Sequence, residues 1–173
     1  LIFFLFINIS FAQKINKFSI SGNERVTNET IIMFSNLEIG QKVNNKILNN
    51  ALKDLYYTNY FKNINISLTG ETVVIKVKEN PIIQQIKING IKKNKIKENI
   101  ETITKKIEKY PFIESKINEQ VIYLKNMLKS YGYYFVELEA SVTNNDNNSV
   151  DIIYNFELGK IAKIKKIKFI GDK

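Results

Sequence analysis

One short stretch, present three times, constrains this chain more than any other feature. It reads apolar-x-x-apolar-x-apolar-x-Gly: Ile15, Phe18, Ile20 and Gly22, then Ile83, Ile86, Ile88 and Gly90, then Ile164, Ile167, Phe169 and Gly171. The last two apolar positions and the glycine alternate with polar residues, which is the spacing of a strand with one buried face. The glycine ends the strand and lets the backbone turn where a side chain would clash. Self-similarity at such intervals marks tandem copies of one small domain. The length agrees, since 173 residues hold two small domains and the opening of a third.

The residues after each motif repeat the same order of elements. In the first unit Thr27 is placed to cap a helix, with Glu29 in the first turn near the positive end of the dipole. Ile31, Phe34 and Leu37 continue at helical spacing until Gly40 breaks the pattern. Asn44 or Asn45 caps a second helix, whose apolar stripe is Leu48, Ala51, Leu52 and Leu55. Asn59-Tyr60-Phe61 leads into a strand with Ile64, Ile66 and Leu68 on one face. Thr69-Gly70-Glu71 turns the chain into a strand carrying Val73, Ile75 and Val77 inward. Glu79-Asn80-Pro81 closes the unit with a short, stiff link.

The second unit keeps this order. After its strand, Asn94 is a candidate cap for a helix marked by Ile96, Ile100, Ile103 and Ile107. Pro111 interrupts, and Ser115 is the candidate cap of a second helix carrying Ile117, Val121, Leu124 and Leu128. Tyr131-Gly132-Tyr133-Tyr134 then stands where Thr58-Asn59-Tyr60-Phe61 stood. The next strand alternates Val136, Leu138, Ala140 and Val142 against Glu137, Glu139 and Ser141. Asn144 to Asn148 is a polar hairpin loop, and the return strand puts Val150, Ile152, Tyr154, Phe156 and Leu158 inward. This unit is longer than the first, and the extra residues lie between its helices and around its hairpin, where insertions are tolerated. After Gly159 a third unit opens with its first strand alone, so the chain is expected to be truncated there.

Residues 1–12 are almost wholly apolar and uncharged, and too few to span a bilayer, which takes about 20. Ser10-Phe11-Ala12 fits the small-x-small pattern of a signal-peptide cleavage site, with the cut before Gln13. With no Met and no basic n-region ahead of it, this reads as the remnant of an export signal whose start is missing.

Composition narrows the chemistry. The chain has no Cys and no His, which removes disulfides, thiolate catalysis, the commonest metal ligand and any Ser-His-Asp system. No phosphate-binding glycine loop or metal-ligand cluster is present, and Glu137 and Glu139 read as a solvated sheet face. The expectation is a protein that is not an enzyme and takes no cofactor. The net charge of +9 comes from lysines spread along the chain, in a sequence rich in Ile, Asn and Lys, and is expected to solvate the surface. A nucleic-acid binder is the rival reading, but an exported chain argues against it. The order of helices and strands is that of a KH domain, but no Gly-x-x-Gly loop lies between the helices.

Gly22-Asn23-Glu24-Arg25-Val26-Thr27, then Leu52 to Ile64, then Glu79-Asn80-Pro81, behind a signal-peptide remnant, resemble the POTRA arrays of outer-membrane assembly factors. The resemblance covers residues 13–173. One departure is Asn59, where the family has Gly; Asn tolerates a left-handed backbone, so the turn is expected to be kept. The resemblance implies an α+β fold of tandem βααββ units, each a three-stranded mixed sheet with two helices on one face. It implies a signal-peptide remnant at 1–12, a first POTRA domain at 13–80, a second at 81–160 and the start of a third at 161–173. It places the third strand of each sheet in the middle and the second at an edge. It further implies a periplasmic scaffold, attached to the outer membrane through a C-terminal barrel absent from this stretch. The implied partners are unfolded outer-membrane β-barrel proteins and accessory lipoproteins, with no nucleic acid. POTRA regions of TamA-type or two-partner secretion transporters are the nearest alternatives. The expected contact surface is the edge strand, which can accept an added chain: Ile64, Ile66 and Leu68 in the first unit, and Val136, Glu137, Leu138, Glu139, Ala140 and Val142 in the second. Whether Glu137 or Leu138 points its N–H away from the hairpin is left open by the sequence, with Glu137 the first choice for a proline.

Overall fold

The computed structural model describes residues 13–168, 170 and 171. The expected signal remnant, residues 1–12, and Phe169 of the third motif lie outside the described residues. The chain divides into two compact units between Asn80 and Pro81.

In the first unit β1 (Gln13–Lys14) pairs antiparallel with β3 (Lys42–Val43), and β2 (Lys17–Ser21) enters the main sheet. Helix α1 (Asn28–Ser35) starts at Thr27, whose hydroxyl accepts from the Thr30 N–H. Helix α2 (Asn45–Tyr57) starts at Asn44, whose side chain accepts from the Ile47 N–H at 3.0 Å. The antiparallel hairpin β4 (Phe61–Thr69) and β5 (Thr72–Glu79) completes the unit. Strand order is β2-β5-β4, with β2 parallel to β5, so the third strand is central and the second is at an edge. Ile31, Ala51 and Leu55 from the helices meet Val73, Ile75 and Val77 in one buried cluster. The alternate strand residues are left to solvent, so both helices cover the same face.

The second unit repeats this with β6 (Ile82–Asn89), α3 (Asn94–Thr104) running into a short 3-10 turn, α4 (Glu114–Ser130), β7 (Glu137–Asn145) and β8 (Ser149–Glu157). Its sheet order is β6-β8-β7, with the same parallel and antiparallel pairings. Ile96 and Ile100 of α3 and Ile117, Leu124 and Leu128 of α4 pack on Val150, Ile152, Tyr154 and Phe156 of the central strand. Tyr154 is fully buried; its hydroxyl donates to Gln120 of α4, and burial pushes its phenol well above the usual tyrosine range.

The repeated glycine has a tertiary cause. Gly22 and Gly90 take φ values of 85° and 86°, and a Cβ would run into the carbonyl oxygen of Val77 and of Phe156, respectively. The chain leaves each first strand directly against the central strand, where only glycine fits. Asn59 has φ 63°, so it does supply the left-handed turn that Gly132 makes at the equivalent exit.

Several local expectations are corrected. Asn94 is the first residue of α3 and not its cap; Lys93 occupies the cap position with no side-chain bond. Ser115 likewise lies inside α4, which starts after Ile113 without a side-chain cap. In α2 the buried residues are Ala51 and Leu55, flanked by Ile47 and Leu48, while Leu52 sits at the margin of that face and outside the core cluster. In β7 burial ends at Ala140; Val142 is 39% exposed because the strand runs on past the helices that cover its first half. Among the described residues from 161 onward there is no strand.

Candidate functional site

The three stretches that carry the family likeness meet in space. Glu79 is buried, and its Oε1 accepts the N–H groups of Glu24, Arg25 and Val26 at 2.8, 2.9 and 2.9 Å. Its second oxygen pairs with the Arg25 guanidinium at 3.3 Å, and Arg25 also donates to the Asn80 carbonyl at 2.7 Å. Asn23 donates to the Val26 carbonyl at 2.8 Å and shapes the loop. Asn80 then ties in the helix exit, donating from its side chain to the Asn59 carbonyl and from its N–H to Tyr60, both at 2.8 Å. This constellation is an internal staple, with a carboxylate satisfied by three backbone donors and a cation. The second unit has apolar residues at the matching positions: Ile91 is buried, and Leu158 is partly buried against the core cluster.

Main-chain chemistry at the sheet edges is the other feature. The first strand of each unit is covered along its first part by the segment between the helices. Ile15 exchanges bonds with Gln41 and Gly40, at 2.9 and 2.7 Å. In the second unit Ile83 donates to Tyr110 at 2.9 Å and accepts from Lys109 at 2.7 Å, and the Glu108 carboxylate takes the Ile86 N–H at 2.9 Å. The extra inter-helix residues thus shield an edge.

The second strands, β4 and β7, are different, and hairpin register settles which of their amides face outward. Thr69 and Thr72 flank a two-residue loop and must form a hydrogen-bonded pair. Alternation then turns Asn65 and Ser67 toward β5, and Ile64, Ile66 and Leu68 toward the open edge. The Ile64 N–H indeed donates sideways, to the Tyr56 hydroxyl of α2 at 3.2 Å. In β7, Asn145 and Ser149 flank a three-residue loop ending at left-handed Asn148, which likewise makes them a bonded pair. Glu137, Glu139, Ser141 and Thr143 therefore bond to β8, and Leu138, Ala140 and Val142 point N–H and C=O outward. Glu137 is thus the wrong place for a proline that spares the hairpin. Among the described residues, no group covers the main chain of Leu138, Ala140 or Val142. Val136 lies just ahead of β7 and is buried.

The two edges are therefore not equivalent. Tyr56 occupies the first outward position of β4, while the matching α4 position in the second unit is Lys129 and β7 stays open. Tyr56 carried no sequence signal, because its reach to Ile64 depends on how the helix exit folds back. The aromatic exit divides: Phe61 and Tyr133 are buried, Tyr60 stacks on Phe34 at 5.8 Å, and Tyr134 and Phe135 are exposed. Among the described residues no helix is long and apolar enough to cross a membrane, and no cluster of acidic side chains could hold a metal ion.

Each unit is a mixed three-stranded sheet with paired helices on one face, and in the first a staple joins the first loop to the last strand. Residues 13–80 match the POTRA family model, described as a surface antigen variable number repeat, and this unit is a POTRA domain. The fold is shared with the N-terminal domain of Omp85 from Thermosynechococcus elongatus, at a TM-score of 0.55 and 11% identity over 82% of this chain and 61% of that one. In sequence the chain is similar to the outer membrane protein assembly factor BamA of Neisseria meningitidis, 27% identical over 88% of this chain. It is 26% identical over 94% of its length to BamA of Neorickettsia risticii. It spans about a fifth of those relatives, 19% and 22% of their lengths.

Proposed function

We propose that these are the periplasmic POTRA domains of an outer-membrane β-barrel assembly factor, and that they hold unfolded barrel strands by adding them to a sheet edge. The observation that carries this reading is the uncovered run of outward main-chain groups at Leu138, Ala140 and Val142. Each outward residue offers one donor and one acceptor to an incoming strand. Main-chain pairing is nearly blind to sequence, which suits a protein that handles many clients. The edge of β4, with Ile66 and Leu68 outward beyond Tyr56, serves as a second, less accessible site. The reading extends to docking of accessory lipoproteins, to residues 1–12 as an export-signal remnant, and to 161–173 as the opening of a further POTRA unit. Attachment to the outer membrane through a C-terminal barrel belongs to the same reading.

Two prolines a residue apart test it. Ala140→Pro removes an outward donor and a small, half-buried side chain, so the hairpin stays intact. Glu139→Pro removes a donor bonded to β8 and breaks the ladder. With a photoreactive residue at exposed Val142, Ala140→Pro is expected to lower crosslinking to an unfolded barrel protein several-fold with an unchanged circular dichroism spectrum. Full crosslinking in the folded Ala140→Pro protein would place the contact elsewhere, with exposed Tyr134 and Phe135 as the next candidates.

A further inference from the structure

The β7 edge carries a charge pattern that main-chain pairing alone does not need. Glu137 and Glu139 lie on its solvent face, both exposed, and Glu137 stands directly opposite Glu157 of β8. Like charges facing each other across a ladder are unfavourable. Lys125 lines the same depression, yet among the described residues none of the three carboxylates has an ion-pair partner. The corresponding row of β4 is Asn63, Asn65 and Ser67, with Lys78 and Lys76 opposite the first two. One edge is therefore acidic and the other neutral to basic, in a chain whose net charge is +9.

Register turns this contrast into recognition. Glu137 and Glu139 bond inward to β8, so toward an added strand they occupy the non-bonded positions. In an antiparallel addition the facing Cα atoms there are closest, at about 4.5 Å, and opposed side chains interact most strongly. On the other face of the added strand lie Leu138, Ala140 and partly exposed Val142. We propose that the β7 edge selects strands with cationic side chains on the alternate positions that face Glu137 and Glu139, and apolar side chains between them. This rests on strand addition at β7 and specifies its client. The excess positive charge of the whole chain works against a cationic partner, so the preference belongs to this edge.

Three ten-residue peptides, alternating Val with Lys, Thr or Glu, test it by fluorescence anisotropy with the whole chain. The Val-Lys peptide is expected to bind about tenfold tighter than Val-Thr at low salt, and Val-Glu weakest, with the differences shrinking at high salt. The double variant Glu137→Gln, Glu139→Gln is expected to bring Val-Lys to the Val-Thr level and leave Val-Thr unchanged. Equal binding of Val-Lys and Val-Thr, or a preference that survives the double variant, overturns the proposal. Ala140→Pro separates this from strand addition itself. If it abolishes binding of all three peptides, addition stands and only the charge rule is under trial. If Val-Lys binds the proline variant undiminished, strand addition fails and the charge rule with it.

Discussion

At the scale of single residues, the most constrained group is Glu79. It sits at the end of β5, where it satisfies three consecutive N–H groups of the loop ahead of α1, more than fifty residues earlier in the chain. Glu79→Ala strands those donors and is expected to destabilise the first unit by about 2–3 kcal/mol, read as a lower midpoint in urea. Glu79→Gln keeps the acceptor oxygen and is expected to lose less. A Glu79→Ala protein as stable as the parent would mean that water takes over the loop without cost. Sequence showed Glu79 only as part of a linker beside Pro81. Its role was illegible because the partners are more than fifty positions away, and spacing arguments do not reach that far.

At the scale of elements, strands and helix faces were largely legible and the capping of the second unit was not. Alternation at Ile64, Ile66 and Leu68, and at Val150, Ile152 and Tyr154, reports burial directly, because a pleated strand shows one face to the core. The Asn94 and Ser115 caps failed because capping residues also fit inside a first turn, and only the backbone decides where that turn begins. The direction of the edge amides was partly legible after all. Thr69-Gly70-Glu71 is a two-residue hairpin signal, and loop length alone orients every amide of β4. The Tyr56 contact was beyond reach. Tyr56→Phe frees the Ile64 N–H, and is expected to raise crosslinking from β4 to an unfolded barrel protein about two- to fivefold while β7 is unaffected, since one neutral hydrogen bond contributes about 0.5–1.5 kcal/mol. No change at β4 would show that Tyr56 does not restrict that edge.

At the scale of the whole chain, two units of one topology place the same edge twice in one protein. They differ in the cover over it and in the charge beside it. The units share topology, the clash-enforcing glycine and the left-handed helix exit, yet the positions at the first loop differ, with a buried carboxylate in one and the apolar Ile91 and Leu158 in the other. Fold is kept by what the backbone requires, and under the proposed strand addition partner choice is left to the edges. Amide hydrogen exchange on the second unit, with and without an unfolded barrel strand, tests the central claim most directly. Added protection is predicted at the alternating amides of Leu138, Ala140 and Val142, with little change at Glu139 and Ser141, which are already bonded to β8. Uniform protection along β7, or protection confined to α4 and the exposed exit at Tyr134 and Phe135, would contradict strand addition at this edge.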